Sequence, residues 1–211
     1  INKEWAEKLN IPQSTAVTCV KPSGTVSQLV DSASGIHARH APYYIRTVRG
    51  DIKDPLTQFM MESGIPHEPD VTRPDNTMVF SFPIKAPDNA VYRHDRGAIE
   101  QLEFWKLYAE HWCEHKPSVT ISVKENEWIE VGAWCWSNFG SISGVSFLPD
   151  TDFTYKQAPY QDITMKEYNK YMSKFPSNID WSKLTEWEKE ATTKGTQELA
   201  CTAGVCEVVD I

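Results

Sequence analysis

The chain has 211 residues and a formal net charge of -8 at pH 7, and 40% of its residues are hydrophobic. This hydrophobic content is enough for a packed core, and no apolar run approaches the roughly 18 residues that a membrane span needs. We therefore expect a soluble protein with no membrane partner. The negative charge disfavours a general nucleic-acid surface, although it leaves room for local phosphate pockets.

The start of the chain and its cysteine content predict a fragment of a longer protein and a reducing compartment. It starts at Ile1 without an initiator methionine or a signal-like segment, so we expect the downstream part of a longer polypeptide. Its five cysteines are an odd number. In a chain of this length they indicate free thiols in a reducing cytoplasm, not a disulfide framework.

The first strong motif covers residues 18–30, TCVKPSGTVSQLV. The β-favouring residues 16–20 predict a strand, residues 21–24 predict a tight turn, and a helix is predicted from Thr25 onwards. The first turn of a helix has backbone N–H groups without intrahelical partners and the positive end of the helix dipole. This arrangement favours an anion, and the natural ligand is a phosphate.

The side chains of this turn fit the same interpretation. Ser23, Thr25 and Ser27 add hydroxyl donors, and Gly24 lets a ligand approach the backbone. The alternative is an ordinary strand-to-helix turn in which Thr25 is a simple N-cap. Composition alone does not decide between the two.

Residues 32–50 predict a long ordered loop that runs into a strand. This stretch is the most cationic part of an acidic chain, which suits a polyphosphate nearby. A solvated basic loop is the alternative. The cationic candidates are His37, Arg39, His40, Arg46 and Arg49.

Further along, helices and strands alternate. Asp54 predicts a helix N-cap and Gly64 a helix stop, and stronger periodicity predicts helices over 98–115 and 127–139. Strands are predicted over 77–82, where Pro83 ends the pattern, over 118–123 and over 144–148. The repeated order of strand, helix and strand predicts an α/β domain with parallel strands.

The character of the sequence changes after Pro149. A helix is predicted over 164–174, with Thr164 and Glu167 in a capping box, and a second polar helix over 178–192. Residues 193–211 are predicted to be a mobile tail. The expected division is therefore a domain over 1–149, a helical extension over 150–192 and the tail over 193–211.

The tail contains Cys201 and Cys206, separated by four residues. Two thiols at this spacing can close a disulfide without strain and reach a partner elsewhere, so they suit a carrier of reducing equivalents. Half of a zinc site and two incidental cysteines are the alternatives. The remaining zinc ligands would be His111, Cys113 and His115.

The zinc alternative is disfavoured because helical positions two apart point to different faces. We assign no metal site. Cys113 and Cys135 lie among tryptophans and are interpreted as core thiols, and Cys19 as a structural residue.

Several segments together resemble a known family. These are KPSGTVSQLVDSASGIHARHAPYYIRTVRG, HKPSVTISVKENEW, GVSFLP followed by QAPYQDIT, and the terminal CTAGVC. In this order they are similar to the C-terminal part of ribonucleotide reductases, in particular the monomeric adenosylcobalamin-dependent (class II) ribonucleoside-triphosphate reductases. The resemblance covers nearly the whole chain.

The resemblance implies a fold and two functional elements. The fold would be the second half of a ten-stranded α/β barrel, followed by the helical extension and the redox tail. Cys201 and Cys206 would re-reduce an active-site disulfide and would be regenerated by thioredoxin or a similar dithiol. The acidic and apolar residues 207–211 depart from the family's usual ending, which bears on the identity of that reductant. The loop that would hold the substrate phosphates consists of Pro22, Ser23, Gly24, Thr25, Val26 and Ser27.

The resemblance also bears on the subclass. Class I reductases carry two adjacent tyrosines on the last barrel strand, and residues 144–149 contain none. Tyr43 and Tyr44 are adjacent but are interpreted as packing residues. A chain without this relay would form its thiyl radical locally, with adenosylcobalamin as cofactor.

The implied reaction removes the 2'-hydroxyl of a ribonucleoside triphosphate for DNA synthesis. The radical cysteine, the general base and the allosteric site would lie upstream, so this fragment alone is expected to be inactive. The full-length enzyme would be monomeric.

Alternatives to this assignment stay open. They are a class I or class III reductase fragment and a non-catalytic nucleotide-phosphate-binding module. For class III, Gly195 and Gly204 lack the setting of a glycyl-radical motif.

Overall fold

The computed structural model describes residues 1–150 and 155–188. Unit 1 contains Ile1–Arg39 and residues 90–150, and unit 2 contains His40–Asn89 and residues 155–188. No helix in the described ranges is long and apolar enough to cross a membrane. Both units combine helices with strands, so the predicted α/β class is confirmed as a mixed α/β fold.

The helices are short, apart from α4. In the described residues they are α1 (Asn2–Leu9), α2 (Val26–Leu29), α3 (Pro55–Glu62), α4 (Ala98–His111), α5 (Trp128–Ser137), α6 (Met165–Met172) and α7 (Leu184–Trp187). Two 3-10 turns cover Glu125–Glu127 and Trp181–Lys183. The strands are β1 (Tyr43–Asp51), β2 (His67–Pro69), β3 (Thr77–Lys85), β4 (Val119–Val123), β5 (Val145–Pro149) and β6 (Tyr160–Asp162).

Unit 1 is built on the parallel pair β4 and β5, which starts at Val119 opposite Val145. Alternate residues of β4 are buried, and they pack with α4 side chains in one core. The predicted strands and the parallel direction are confirmed here. The buried members of this core are Ala98, Leu102, Trp105, Val119, Ile121, Val123 and Val131.

The predicted strand over residues 16–20 is wrong. The segment is extended and lies beside the chain that enters β4, because the carbonyl of Thr18 accepts from His115 N at 3.0 Å and that of Val20 from Ser118 N at 3.2 Å. Beyond Val20, the segment makes no further backbone hydrogen bond to β4 in residues 1–150 and 155–188. The next N–H groups along this edge of β4 donate to side chains instead of to the backbone of the segment, so the two do not form a regular strand pair.

The outer edge of β4, opposite β5, is closed by two of these side chains. Thr120 N donates to Nε2 of His37 at 2.9 Å, and Ser122 N donates to Oε1 of Gln101 at 3.2 Å. Together with the Ser118 bond, these contacts satisfy the N–H groups that face away from β5. The loop that contains His37 is thereby fixed against β4.

Unit 2 contains a four-stranded sheet in the order β2-β3-β1-β6. All of its pairings are antiparallel, so the prediction of parallel strands is wrong for this sheet. The direction of β3 was mispredicted because the strand between α3 and β3, β2, has only three residues and no clear sequence signal. Because β2 and β3 form an antiparallel pair, β3 returns beside β1 in the opposite direction.

Strand β3 also runs further than predicted, since it includes Pro83 opposite Ile45 of β1. Strand β2 pairs with Met78, Val79 and Phe80 of β3, and no other described strand pairs with this edge of β3 at Pro83. A proline is tolerated on such an edge.

The core of unit 2 lies between α3 and the sheet. Its buried side chains are Phe59, Met60, Ile65 and Phe80. Asp54 caps α3 as predicted, because its carboxylate accepts from Leu56 N at 2.9 Å. Tyr44 is 1% exposed and contacts the rings of His40 and Tyr160, which confirms its role in packing.

Three predicted helices end earlier than expected, and one of them is α5, which ends at Ser137 two residues short of the prediction. Helix α4 ends at His111, four residues short of the prediction, and Trp112 is 59% exposed. The chain leaves the helix because Glu114 N donates to the Thr18 hydroxyl. Helix α6 begins at Met165 with the predicted capping box of Thr164 and Glu167 and ends at Met172.

Of the predicted helix over 178–192, the structure describes residues 178–188, which contain the 3-10 turn Trp181–Lys183 followed by α7. The tail over 193–211, with Cys201, Cys206, Gly195 and Gly204, lies outside the described residues. The proposed division into 1–149, 150–192 and 193–211 stays a prediction.

Candidate phosphate-binding loop

The predicted turn before α2 is present in unit 1, but it is capped differently. Thr25 occupies the N-cap position, yet its side chain makes no capping hydrogen bond. The Ser23 hydroxyl accepts from Ser27 N at 3.0 Å instead. The alternative interpretation of Thr25 as a simple N-cap is therefore wrong for its side chain, and the Thr25 hydroxyl bonds to no residue in the described ranges.

Ser23 is held by a residue that the sequence did not single out. The Ser34 hydroxyl accepts from Ser23 N at 2.8 Å and donates to Ser23 O at 2.9 Å. Both backbone groups of Ser23 are thus fixed by one side chain. No sequence pattern marks this pair, because the two serines are 11 positions apart.

The loop presents a row of exposed donors. The backbone N–H groups of Gly24, Thr25 and Val26 donate no hydrogen bond to any residue in 1–150 or 155–188, and all three residues are exposed. A Cβ built on Gly24 would meet nothing within 4 Å. Unpaired N–H groups at the start of a helix can bind an anion, and the space beside Gly24 is open to one.

His37, predicted as a cation beside the loop, is a neutral hydrogen-bonded bridge. Its Nε2 accepts from Thr120 N, so this nitrogen carries no proton. Its Nδ1 lies 2.7 Å from Ser34 O and donates to it. Because one ring nitrogen accepts and the other donates, the imidazole is uncharged.

Arg39, the second predicted cation, is buried at 6% exposure. Its guanidinium donates to the Asp31 carboxylate at 2.8 Å and to Ser32 O at 2.9 Å, while Nε has no partner in the described residues. These bonds fix the segment that follows α2. They also neutralise the charge of Arg39.

The cation that accompanies the loop is Lys21, which precedes Pro22. Lys21 is exposed and forms no ion pair with any described residue. From the sequence, Lys21 is interpreted only as a residue of the turn. Its position directly before the Pro-Ser-Gly turn is the signal that would have identified it.

The other three predicted cations lie in unit 2, each with a partner there. His40 Nε2 contacts the Asp162 carboxylate at 2.5 Å. Arg46 stacks over the Tyr160 ring at 4.4 Å. Arg49 donates to the Asp70 carboxylate at 2.7 Å.

The described cysteines are free thiols. Cys19 is exposed, whereas Cys113 and Cys135 are partly buried. Cys135 packs against the core of unit 1, and burial raises the pKa of its thiol. No group of three or more His, Cys, Asp or Glu side chains in 1–150 and 155–188 could hold a metal ion.

Comparison with known proteins identifies relatives of the chain, although no family model matches it. The adenosylcobalamin-dependent ribonucleoside-triphosphate reductase of Euglena gracilis is 30% identical over 181 residues, which is 85% of this chain and 24% of the relative. The reductase of the same name from Lactobacillus gasseri is 27% identical over 98% of this chain and 28% of its own length. A probable one from Dictyostelium discoideum is 29% identical over 99% of this chain and 27% of its own length.

A solved structure of a B12-dependent (class II) ribonucleotide reductase is also similar. It aligns with a TM-score of 0.74 and 26% identity over 89% of this chain and 26% of that chain. The chain is a homologue of these reductases over nearly its whole length. The predicted family resemblance is confirmed.

The chain spans about a quarter of the length of the reductases that it matches. The candidate phosphate loop over residues 22–27 lies in the part that resembles them by sequence. Cys201 and Cys206 lie outside the described residues, so the reductase comparison adds no geometry for them.

Proposed function

We propose that the chain is the C-terminal part of an adenosylcobalamin-dependent ribonucleoside-triphosphate reductase and supplies its substrate-phosphate loop. The row of exposed, unpaired N–H groups at Gly24, Thr25 and Val26 is the observation that carries this proposal. The names of the homologues support the substrate class and the cofactor. Pro22, Ser23 and Ser27 complete the loop.

In this proposal the loop binds and orients the substrate. Three N–H groups and the Thr25 hydroxyl can donate to phosphate oxygens, and Lys21 adds a positive charge. Hydrogen bonds to charged groups contribute about 1.5–3 kcal/mol each, so such a loop can hold a triphosphate in a chain of net negative charge. The ribose is thereby positioned for reaction elsewhere in the full-length enzyme.

The reaction replaces the 2'-hydroxyl of the ribose by hydrogen. Two cysteine thiols of the full-length enzyme are oxidised to a disulfide, and the hydroxyl leaves as water. Cys201 and Cys206 reduce that disulfide by thiol–disulfide exchange, and thioredoxin or a similar dithiol reduces them in turn. A cytoplasmic, monomeric enzyme with the second half of a ten-stranded α/β barrel is part of the same proposal.

Adenosylcobalamin would supply the radical chemistry when it is bound to the full-length enzyme. A corrinoid is several times larger than a drug-sized ligand. Two pockets of the described residues, one of about 620 Å³ beside Phe59 and Trp187 and one of about 230 Å³ beside Trp128, do not fit it. We assign no residue of this chain to the cofactor.

The proposal is tested by blocking the donors with Gly24→Val in the full-length protein. Equilibrium binding is measured for cytidine triphosphate and for cytidine, which lacks the phosphates. We expect weaker binding of the triphosphate, about 10-fold or more, and unchanged binding of cytidine. Gly140→Val is the matched control, because Gly140 is exposed in the same unit and its added Cβ also meets nothing within 4 Å.

Equal triphosphate binding by Gly24→Val and the wild type would overturn the assignment of the loop. Activity is measured separately, as formation of deoxycytidine triphosphate with adenosylcobalamin and a dithiol. Binding through the loop without any product would favour the non-catalytic module.

A further inference from the structure

The loop that contains Gly24 is held only in part by its own helix, because α2 has four residues. It is also held by a chain of side-chain contacts that ends on β4. The contacts run from Thr120 through His37 and Ser34 to Ser23. All four residues belong to unit 1.

The first link is the His37 ring. Thr120 N donates to Nε2 at 2.9 Å, and Nδ1 donates to Ser34 O at 2.7 Å. Ser34 O also accepts from His37 N at 3.1 Å, so two bonds join the residues. With both ring nitrogens in use, the ring cannot rotate without losing a hydrogen bond.

The second link is the Ser34 hydroxyl, which holds Ser23 N and Ser23 O. The neighbouring Gly35 has a φ of +61°, and its added Cβ would lie 3.3 Å from Val20 Cγ1 and 3.4 Å from Lys21 O. A glycine suits both the left-handed backbone and this close approach. The turn that contains Ser34 therefore packs directly on the chain that leads into the loop.

The last link, at Ser23, does not use the N–H groups of Gly24, Thr25 and Val26. The Ser23 hydroxyl accepts from Ser27 N, so the N–H, the carbonyl and the hydroxyl oxygen of Ser23 all take part in hydrogen bonds inside the fold. The next three N–H groups then face no partner in the described residues. An anion that binds there need not order the loop, which lowers the cost of binding.

We propose that His37 is a positioning residue, which holds the phosphate loop in its binding conformation through Ser34. It does not touch the phosphates and gives them no positive charge. This inference rests on the proposed function, since it concerns the same loop. The position of His37 in a basic stretch predicted a cation for the phosphates, whereas its contacts assign it a positioning role as a neutral side chain.

The test uses the full-length protein and the variants His37→Ala, Ser34→Ala and their combination. Equilibrium binding is measured for cytidine triphosphate and for cytidine. We expect each single variant to weaken triphosphate binding about 5- to 10-fold, as for the loss of one or two hydrogen bonds, with cytidine binding unchanged. Because His37 acts through Ser34, the double variant should be no weaker than Ser34→Ala within a factor of about two.

His37→Asn provides a rescue, because its amide can replace the Nδ1 donor to Ser34 O. It should bind the triphosphate more tightly than His37→Ala. His67→Ala is the matched control, since Nδ1 of His67 likewise contacts a nearby carbonyl, that of Ile65, at 2.7 Å but in unit 2. It should bind both ligands like the wild type.

The outcomes separate this inference from the proposed function. If Gly24→Val loses the triphosphate while His37→Ala and Ser34→Ala keep it, the loop binds phosphate and the positioning role is wrong. Additive losses in the double variant, or equal losses for cytidine, would also overturn it. If Gly24→Val itself keeps wild-type binding, the proposed function fails.

Discussion

Arg49 donates a hydrogen bond from Nε to the carboxylate of Asp70 at 2.7 Å, and Asp70 is 3% exposed. Three further bonds reach the same carboxylate, from the hydroxyl and N–H of Thr72 and from Arg73 N. Burial raises the pKa of Asp70, but the bonds from Thr72, Arg49 and Arg73 outweigh burial and hold the pKa well below its usual range. The charged form is therefore the one that stabilises unit 2.

A pH dependence of stability follows from this lowered pKa. A carboxylate with a lowered pKa contributes stability above its unfolded-state pKa of about 3.9 and loses it as the pH falls. We expect Asp70→Asn to destabilise unit 2 by about 1–3 kcal/mol at pH 7 and by less at pH 3. Hydrogen exchange of peptides from β1 and β3 at both pH values measures the difference.

Asp88→Asn is the control for Asp70→Asn. Asp88 also pairs with a cation, Lys85, but its side chain is 82% exposed, and exposed pairs contribute little. No change in hydrogen exchange is expected for this variant. An equal loss of stability for Asp70→Asn at pH 3 and pH 7 would contradict the role of the charge.

Removal of the cap of α3 should loosen that helix. Asp54→Ala removes the acceptor of Leu56 N, and the loss of such a cap costs about 1 kcal/mol. Faster amide exchange is expected in Pro55–Glu62. Asp54→Asn retains an acceptor oxygen and should behave like the wild type, so a similar loss in both variants would point to the charge of Asp54 and not to its hydrogen bond.

The described cysteines should differ in reactivity. Cys19 is exposed, whereas Cys135 is partly buried and has a raised pKa, so less of its thiol is ionised at a given pH. Iodoacetamide should therefore alkylate Cys19 before Cys135, and the rate at Cys135 should rise with pH into the alkaline range. Peptide mass spectrometry after timed labelling measures both rates, and faster labelling of Cys135 at neutral pH would contradict the structure.

Cys201 and Cys206 should be required for turnover with thioredoxin but not for turnover with a small dithiol. In the full-length protein, Cys201→Ser and Cys206→Ser should each abolish turnover with thioredoxin, because a single thiol cannot complete the exchange. A small dithiol that enters the active site directly should restore turnover. Cys19→Ser is the control and should stay active with both reductants; full thioredoxin-dependent turnover of the tail variants would exclude the shuttle role.

Sequence periodicity predicted the elements that pack on one core. Leu102 and Trp105 of α4 and the alternating Val119, Ile121 and Val123 of β4 are buried as their spacing indicates. Hydrophobic periodicity does not predict whether a strand runs parallel or antiparallel to its neighbour, since the alternating pattern is the same in both kinds of sheet. The antiparallel sheet of unit 2 therefore could not be predicted without β2.

For the candidate site, the sequence identified the cationic side chains but not the carboxylates that pair with them. Arg39 pairs with Asp31 eight positions away, and Arg49 pairs with Asp70, which is 21 positions away. Such pairs depend on how the chain folds back on itself. The loop itself was predicted because its turn chemistry is local, whereas the Ser34 contact that holds it is not.

The outer edge of β4 has a consequence for how its sheet can grow. The N–H groups of Ser118, Thr120 and Ser122 are already taken by Val20, His37 and Gln101, so this edge cannot template another strand. In the described residues, β5 pairs with β4 alone. Any strand from elsewhere in the polypeptide, or from a misfolded neighbour, must therefore add to the sheet through β5.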